Sequence, residues 1–360
     1  MTTPLSNVLK ARIEQTGPMG IAEFMTECLL NPNYGYYTTR DPLGDHGDFI
    51  TAPEISQMFG ELVGLALVQS WLEQGAPENI VLAELGPGRG TLMADALRAM
   101  SAVPGARFVP HLVEASPHLR KVQSETLSDH TPIWHDHIDD LPEGPLFLIA
   151  NEFFDALPIR QYIRTQDAWS ERQVGLVDGA LSFGLAPPVS RAELEDWSDR
   201  AKEGDMIEIS PAAPVLAEEI ARRIQSDGGA ALIIDYGSFG EMGDTFQAVR
   251  AHQKESPLVN PGEADLTAHV DFAAIAKAVE LKGAQPSGPV PQGVFLETLG
   301  ITQRAQALAK RMSGATLEAH VQAHRRLTHP TEMGSLFKVL GITPSNAPPI
   351  AGTVGVSETL

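Results

Sequence analysis

The chain has 360 residues, 43% of them apolar, with 26 Lys plus Arg against 46 Asp plus Glu and a net charge of −20. That apolar content builds a core and excludes disordered and collagen-like classes. So negative a field repels phosphate backbones and anionic lipid and attracts a basic partner. The longest apolar run, Leu62–Val68, falls far short of the roughly 20 residues that span a bilayer. The single Cys28 can form neither an internal disulfide nor a cysteine-based metal cluster. A start without the basic and apolar regions of a secretory signal completes the picture. The expectation is a cytoplasmic protein that takes no nucleic acid and enters no membrane.

In chain order, Leu5, Val8, Leu9 and Ile13 form an apolar stripe at helical spacing, and a second helix spans Ile21 to Leu30, closed by Asn31-Pro32. Residues 34–56, rich in Gly, Asp, Pro and aromatics, read as a long ordered loop, and Phe59–Leu72 as a buried helix. From residue 80, strands alternate with helices, which predicts an α/β fold with a parallel sheet and crossover helices. The strands are Ile80–Leu85, Arg107–Glu114, Leu146–Asn151 and Ala230–Tyr236; the helices are Thr91–Met100, Pro117–Leu127 and Pro211–Gln225, the last capped by Ser210. Ile159–Thr165, Trp169–Val177 and Ala180–Leu185 predict an antiparallel meander inserted into this core. The polar stretch after Tyr236, to about residue 265, reads as loop with some helix. Phe272–Leu281 and Phe295–Met312 read as helices, and a last strand at Leu336–Ile342 precedes a Pro/Gly-rich tail expected to fray.

The chemistry concentrates where Ile80–Leu85 runs into Gly86-Pro87-Gly88-Arg89-Gly90 and then a helix. Glycine is needed where backbone bends sharply or lies against a ligand, and this turn stands at the carboxyl edge of the first strand, where cofactors bind. A dinucleotide fingerprint would need glycine at position 91, which is Thr91. Glu84, Gly86, Gly88 and Gly90 instead match the E-x-G-x-G-x-G turn of S-adenosylmethionine methyltransferases position for position. A carboxylate there suits a cofactor carrying a sulfonium and an α-ammonium, held directly or through water. Glu114, 24 residues past Gly90, ends the next strand at the spacing of a ribose-binding acid. It supports nucleoside binding without choosing the cofactor. In Trp134–Asp140, Asp136 is the candidate for an adenine amino group. His135 and His137 have no third clustered ligand, so no metal is expected.

The fourth strand ends in Asn151-Glu152-Phe153-Phe154-Asp155-Ala156-Leu157-Pro158. Its edge faces the transferable methyl group, with Asn151 beside the cofactor and Glu152 and Asp155 toward the acceptor. Carboxylates bind a guanidinium bidentately and can localise its charge away from an attacking nitrogen. Transfer needs that nitrogen about 3–3.5 Å from the methyl carbon, with water kept out.

These residues, together with Gly17-Pro18-Met19, Asn33–Tyr37, Gly47–Ser56, Ile234–Gly237, Asp265–Phe272, Gln292–Leu296 and Met333–Val339, resemble the MidA-like methyltransferases over nearly the whole chain. That family includes the mitochondrial complex I assembly factor that methylates an arginine of a complex I subunit. The resemblance implies a Rossmann-like class I methyltransferase core (79–345) behind an N-terminal helical segment and active-site loop (1–78). It places an antiparallel β insertion at about 159–200, a helical insertion at about 291–333 and a tail at 346–360. It further implies S-adenosyl-L-methionine as cofactor, symmetric dimethylation of an arginine, a protein partner from complex I, and Tyr236 beside the acceptor. Gly47, Asp48, Thr51, Glu54 and Ser56 become candidates for closing over the cofactor's methionine end. His269 departs from the family pattern, where an acid is expected. Three rivals are a small-molecule N-methyltransferase, an assembly chaperone that binds the cofactor only structurally, and a nicotinamide oxidoreductase, the last disfavoured by Thr91.

Overall fold

A computed structural model of the chain describes residues 3–39, 51–166, 168–191 and 194–354. The central sheet holds β1 Val81–Leu85, β2 Pro110–Val113, β3 Ile133–His135, β4 Leu146–Asn151, β5 Gly229–Ser238, β6 Gln285–Pro291 and β7 Phe337–Thr343. Their order is β6-β7-β5-β4-β1-β2-β3, and a short strand at Val270–Asp271 joins the end of β5. From β3 across to β5 all neighbours are parallel; β7 pairs antiparallel with both β5 and β6.

Every residue of β1 and β4 is buried, because helices cover both faces of a parallel sheet. Leu82, Phe147 and Ile149 face helices Gln57–Glu73 and Thr91–Met100, while Val81, Ala83 and Leu148 face helices Ala212–Asp227 and Phe272–Leu281. From β1 the chain moves out through β2 and β3, then returns to the other side of β1 for β4 and β5. The loops after β1 and β4 therefore diverge, and a crevice opens at the carboxyl edge between them.

In the first helix, Pro4–Thr16, Leu5, Leu9 and Ile13 are buried, whereas Val8 lies outside the stripe and is exposed. This helix and Ile21–Leu30 pack against residues 246–268. That stretch, expected as loop with some helix, holds a three-stranded antiparallel sheet of Gln247–Arg250, Gln253–Glu255 and Asp265–Thr267. Its polar strands carry little apolar alternation, and only the inner face (Ala248, Leu266) meets the N-terminal helices. The meander follows its expected strands but gains Met206–Ile209, paired antiparallel with Arg160–Ile163, so the inserted sheet runs past residue 200. The helix expected over Phe295–Met312 is broken: Gln292–Thr298 ends at Leu299, Gly300 takes φ +88°, and Ile301–Ala309 follows. The tail does not fray within the described residues. Ile350 and Thr353 are fully buried, and the Thr353 hydroxyl lies 2.6 Å from that of Ser287 in β6.

Glu61, buried within helix Gln57–Glu73, ties the helical insertion to the core. It accepts from Arg304 Nε and Nη2 at 2.8 and 2.9 Å and from Arg98 Nη2 at 3.0 Å. Burial penalises its charge, but the two guanidinium groups hold its carboxyl below the usual range. Both arginines are well exposed at their outer faces, which limits the contribution. Glu61→Ala is expected to cost about 1–3 kcal/mol, since it leaves three guanidinium N–H groups without this acceptor. Urea unfolding measures this, and hydrogen exchange should localise the loosening to residues 301–328.

Candidate active site

At the carboxyl edge of the sheet lies a pocket of about 610 Å³, lined among others by Glu84–Arg89, Glu114, Asp136–Asp139, Asn151–Phe153, Asp155–Pro158, Tyr236, Asp265 and Thr267. Strand order sets the sequence of groups along it: Asp136 after β3, Glu114 after β2, Glu84 in β1, Asn151 and Glu152 at the end of β4, then Tyr236 in β5. Eight of its described lining residues carry carboxylates, against a single arginine, Arg89. The pocket is built to receive positive charge.

At the glycine turn, Gly86 and Gly88 adopt φ +57° and +54°, and a Cβ on Gly86 would stand 2.7 Å from the Phe153 ring. The Gln123 side chain donates to the Gly88 carbonyl at 2.8 Å and fixes the turn from the neighbouring helix. Gly86→Ala is therefore expected to destabilise the protein by about 1–3 kcal/mol through strain and overlap. It should also weaken S-adenosylhomocysteine binding, both effects being read by calorimetry. Gly90, at φ +81°, caps helix Thr91–Met100 and lies outside the pocket lining.

Glu84 is almost fully buried, and its Oε2 has no hydrogen-bond partner among the described residues. Burial pushes its carboxyl up to about 8. A buried acceptor left unpaired is costly, and Glu84 lines the pocket, where this atom could take a donor from a bound cofactor. The buried Asn151 Oδ1 is in the same condition. Glu114 accepts from the Ser116 backbone at 2.8 Å and from Gln123 at 3.2 Å, which shapes the turn and orients the carboxylate toward the pocket. Asp136 is largely exposed and ion-paired with Arg120 at 2.6 Å.

Glu152 holds a left-handed backbone, φ +51°, sparsely populated for a residue with a side chain. Its Oε1 accepts from Asn151 Nδ2 and from the Ala52 backbone N–H, both at 3.2 Å. Burial, reinforced by Asp155, pushes its carboxyl up to about 7. Asp155 is raised mainly by burial, against the pull of a hydrogen bond from Tyr236. Asp235 arranges the turn that presents them: it accepts from the backbone of Phe154 and Asp155 at 3.0 and 3.2 Å, and from Tyr236 N at 2.9 Å. Fully buried among acids, Asp235 itself is raised well above the ordinary value, first by burial and then by Asp155 and Glu152.

The segment before helix Gln57–Glu73 crosses the pocket. Thr51 and Glu54 line it, and Glu54 Oε1 accepts from the Thr91 hydroxyl at 2.5 Å, beside the glycine turn. Ser56 is placed differently from expectation: it is outside the lining, and its hydroxyl caps the helix by accepting from Met58 N at 3.3 Å. Gly47 and Asp48 lie outside the described residues. His269 stacks edge-on against Tyr236 at 5.6 Å and is lowered by burial. His135 turns to His111, Nε2 to Nδ1 2.9 Å; among the described residues no cluster of three His, Cys, Asp or Glu could hold a metal. Sequence reasoning missed Asp235, Tyr37 and Asp265, although each lies in a segment that carried the family resemblance.

A family model described as S-adenosyl-L-methionine-dependent methyltransferase matches residues 62–290. The chain is 38% identical to the protein arginine methyltransferase NDUFAF7, mitochondrial, of Xenopus laevis, over 97% of this chain and 88% of that one. It is 37% identical to the human protein of the same name, over 95% and 84%. The structure superposes with TM-score 0.83 on the crystal structure of a Burkholderia thailandensis protein bound to S-adenosyl-homocysteine, at 30% identity over 97% and 93% of the two chains. The two NDUFAF7 relatives are named as mitochondrial, which overturns the expectation of a cytoplasmic protein. No helix among the described residues is long and apolar enough to cross a membrane. With more than half of its length inside the family model and relatives along nearly all of it, the chain belongs to the S-adenosyl-L-methionine-dependent methyltransferase family.

Proposed function

We propose that the chain methylates an arginine of a partner protein, and that this partner is a subunit of respiratory complex I. The observation that carries the reading is the wall of buried carboxylates at the end of β4 and β5, beside a turn that fits the methyl donor. The unpaired Glu84 Oε2 suits the donor's cationic end; Gly86 and Gly88 let its backbone-hugging part approach; Asn151, Thr51 and Glu114 complete the cradle, with Asp136 toward the base. When bound, S-adenosylmethionine supplies an electrophilic methyl group on a positively charged sulfur.

The chain's residues supply the rest. Glu152 and Asp155 pair with the guanidinium and turn one nitrogen toward the methyl carbon. A nitrogen–methyl bond forms as the sulfur–methyl bond breaks, the latter's electrons staying on sulfur. The nitrogen's surplus proton goes to Glu152, whose raised carboxyl suits proton acceptance near neutrality. Tyr236, bonded to Asp155, holds that carboxylate in place. The names of the relatives support arginine as acceptor, and the family resemblance supports complex I and symmetric dimethylation. Mass spectrometry of complex I from intact and deleted strains tests the proposal: one methylated arginine should disappear, and unchanged methyl-arginine content would refute it. Glu152→Gln and Asp155→Asn separate the enzyme from a cofactor-bound chaperone, because a scaffold would still support assembly with either change.

A further inference from the structure

Beyond Tyr236 the pocket continues past the edge of the β5 end. Tyr236 is hydrogen-bonded to Thr267 as well as to Asp155, so the strand Asp265–Thr267 forms the next wall. That strand belongs to the small sheet against which the N-terminal helices pack, and it presents Asp265, 7% exposed, to the pocket. The Tyr37 hydroxyl donates to Asp265 Oδ1 at 2.8 Å. Tyr37 is raised well above its ordinary value by burial and by the charges of Asp265 and Asp155, so it keeps its proton and remains a donor. Tyr37, Asp155 and Asp265 all line this one pocket. Leu29 and Leu30, from the helix Ile21–Leu30, line the same part of the pocket with apolar surface.

A lysine ammonium presents its three donors from a single nitrogen, within reach of acceptors clustered at one point. A guanidinium is a plane with two donor edges, and its far edge must also meet acceptors once it is desolvated. Glu152 and Asp155 flank Phe153, whose ring lies against Gly86 of the glycine turn, while Tyr236 links Asp155 to Thr267, two residues along the strand from Asp265. We propose that Asp265, held in place by the Tyr37 hydroxyl, is a specificity-determining residue that binds the guanidinium edge turned away from the methyl donor. Leu29 and Leu30 of helix Ile21–Leu30 flank the arginine's methylene stem. Tyr37 acts through Asp265 as a positioning residue. This assignment rests on arginine being the acceptor.

The test uses the full-length protein, S-adenosylmethionine carrying a labelled methyl group, and complex I subunits from a strain that lacks the chain. Asp265→Asn should raise KM for the protein acceptor about tenfold or more, the loss of one charged contact, while kcat changes little. Tyr37→Phe should raise KM by a smaller factor. Both variants should bind S-adenosylhomocysteine as the wild type does, which reports an intact fold and methyl-donor site. An unchanged KM in Asp265→Asn, or a loss confined to kcat, overturns the assignment and leaves arginine methylation standing. If Asp265→Asn loses S-adenosylhomocysteine binding, Tyr37→Phe decides by the same criterion. A wild type that binds S-adenosylhomocysteine yet forms no methyl-arginine on these subunits overturns the arginine reading, and this assignment with it.

Discussion

Glu84→Gln is expected to raise the Kd for S-adenosylhomocysteine about 100-fold at pH 8, the loss of a charged hydrogen bond at a buried acceptor. The same change should raise the melting temperature of the ligand-free protein. Burial holds the Glu84 carboxyl near 8, against an ordinary value of 4.5. Between those values the folded chain binds a proton that the unfolded chain has released, so stability falls as pH rises through that window. Each pH unit in which that difference is complete costs about 1.4 kcal/mol. Glutamine carries no titrating proton, and the variant escapes the loss. The stability gap should be absent near pH 4, grow through pH 5–8 and level off above. A cationic ligand favours the ionised form, so wild-type affinity should tighten as pH rises through 7–8, and that dependence should vanish in the variant. Calorimetric titration at pH 6, 7 and 8 decides; an unchanged Kd would remove Glu84 from the site.

Glu152→Gln is expected to lower kcat by about 10²–10⁴-fold, the usual contribution of a positioned base, with S-adenosylhomocysteine binding nearly unchanged. Its carboxyl stands near 7 because of burial and the neighbouring Asp155. The ionised form both pairs with the acceptor and takes its proton, so kcat/KM should rise with pH through 6–7 and flatten above about 8. Loss of this ascending limb in Glu152→Gln would identify Glu152 as its source. A variant with wild-type kcat would sink the role. Glutamine preserves the side chain's shape and its acceptor for Ala52 N–H, so the lesion is confined to charge and proton uptake.

The parts of this site that were legible from sequence are those whose signal is local. The glycine turn compresses strand end, positive φ and helix start into a few residues, and Glu84, Gly86 and Gly88 stand where the pattern put them. Asn151–Asp155 was legible for the same reason: an apolar strand runs straight into polar residues. Ser56 was misread although its signal was also local; a serine before an apolar helix is first of all a cap. β6 escaped because Pro286, Pro289 and Pro291 argue against a strand, yet an edge position with one partner tolerates residues that donate no hydrogen bond. Tyr37 and Asp265 were quoted within motifs but not paired. They are 228 residues apart, and only the folding of the N-terminal helices onto the small sheet brings them together.

That long-range closure has a biosynthetic consequence. The Thr3 hydroxyl donates to the Pro261 carbonyl, and the apolar faces carrying Leu5, Leu9, Phe24 and Met25 are covered partly by residues 246–268. During translation those faces emerge first and remain incompletely covered until the ribosome has added more than two hundred residues, roughly 10 to 50 s at about 5–20 residues per second. Throughout that interval the nascent chain carries sticky helices and a pocket lacking one wall. Until the strand Asp265–Thr267 is made the pocket is incomplete, so activity arrives only with the last third of synthesis.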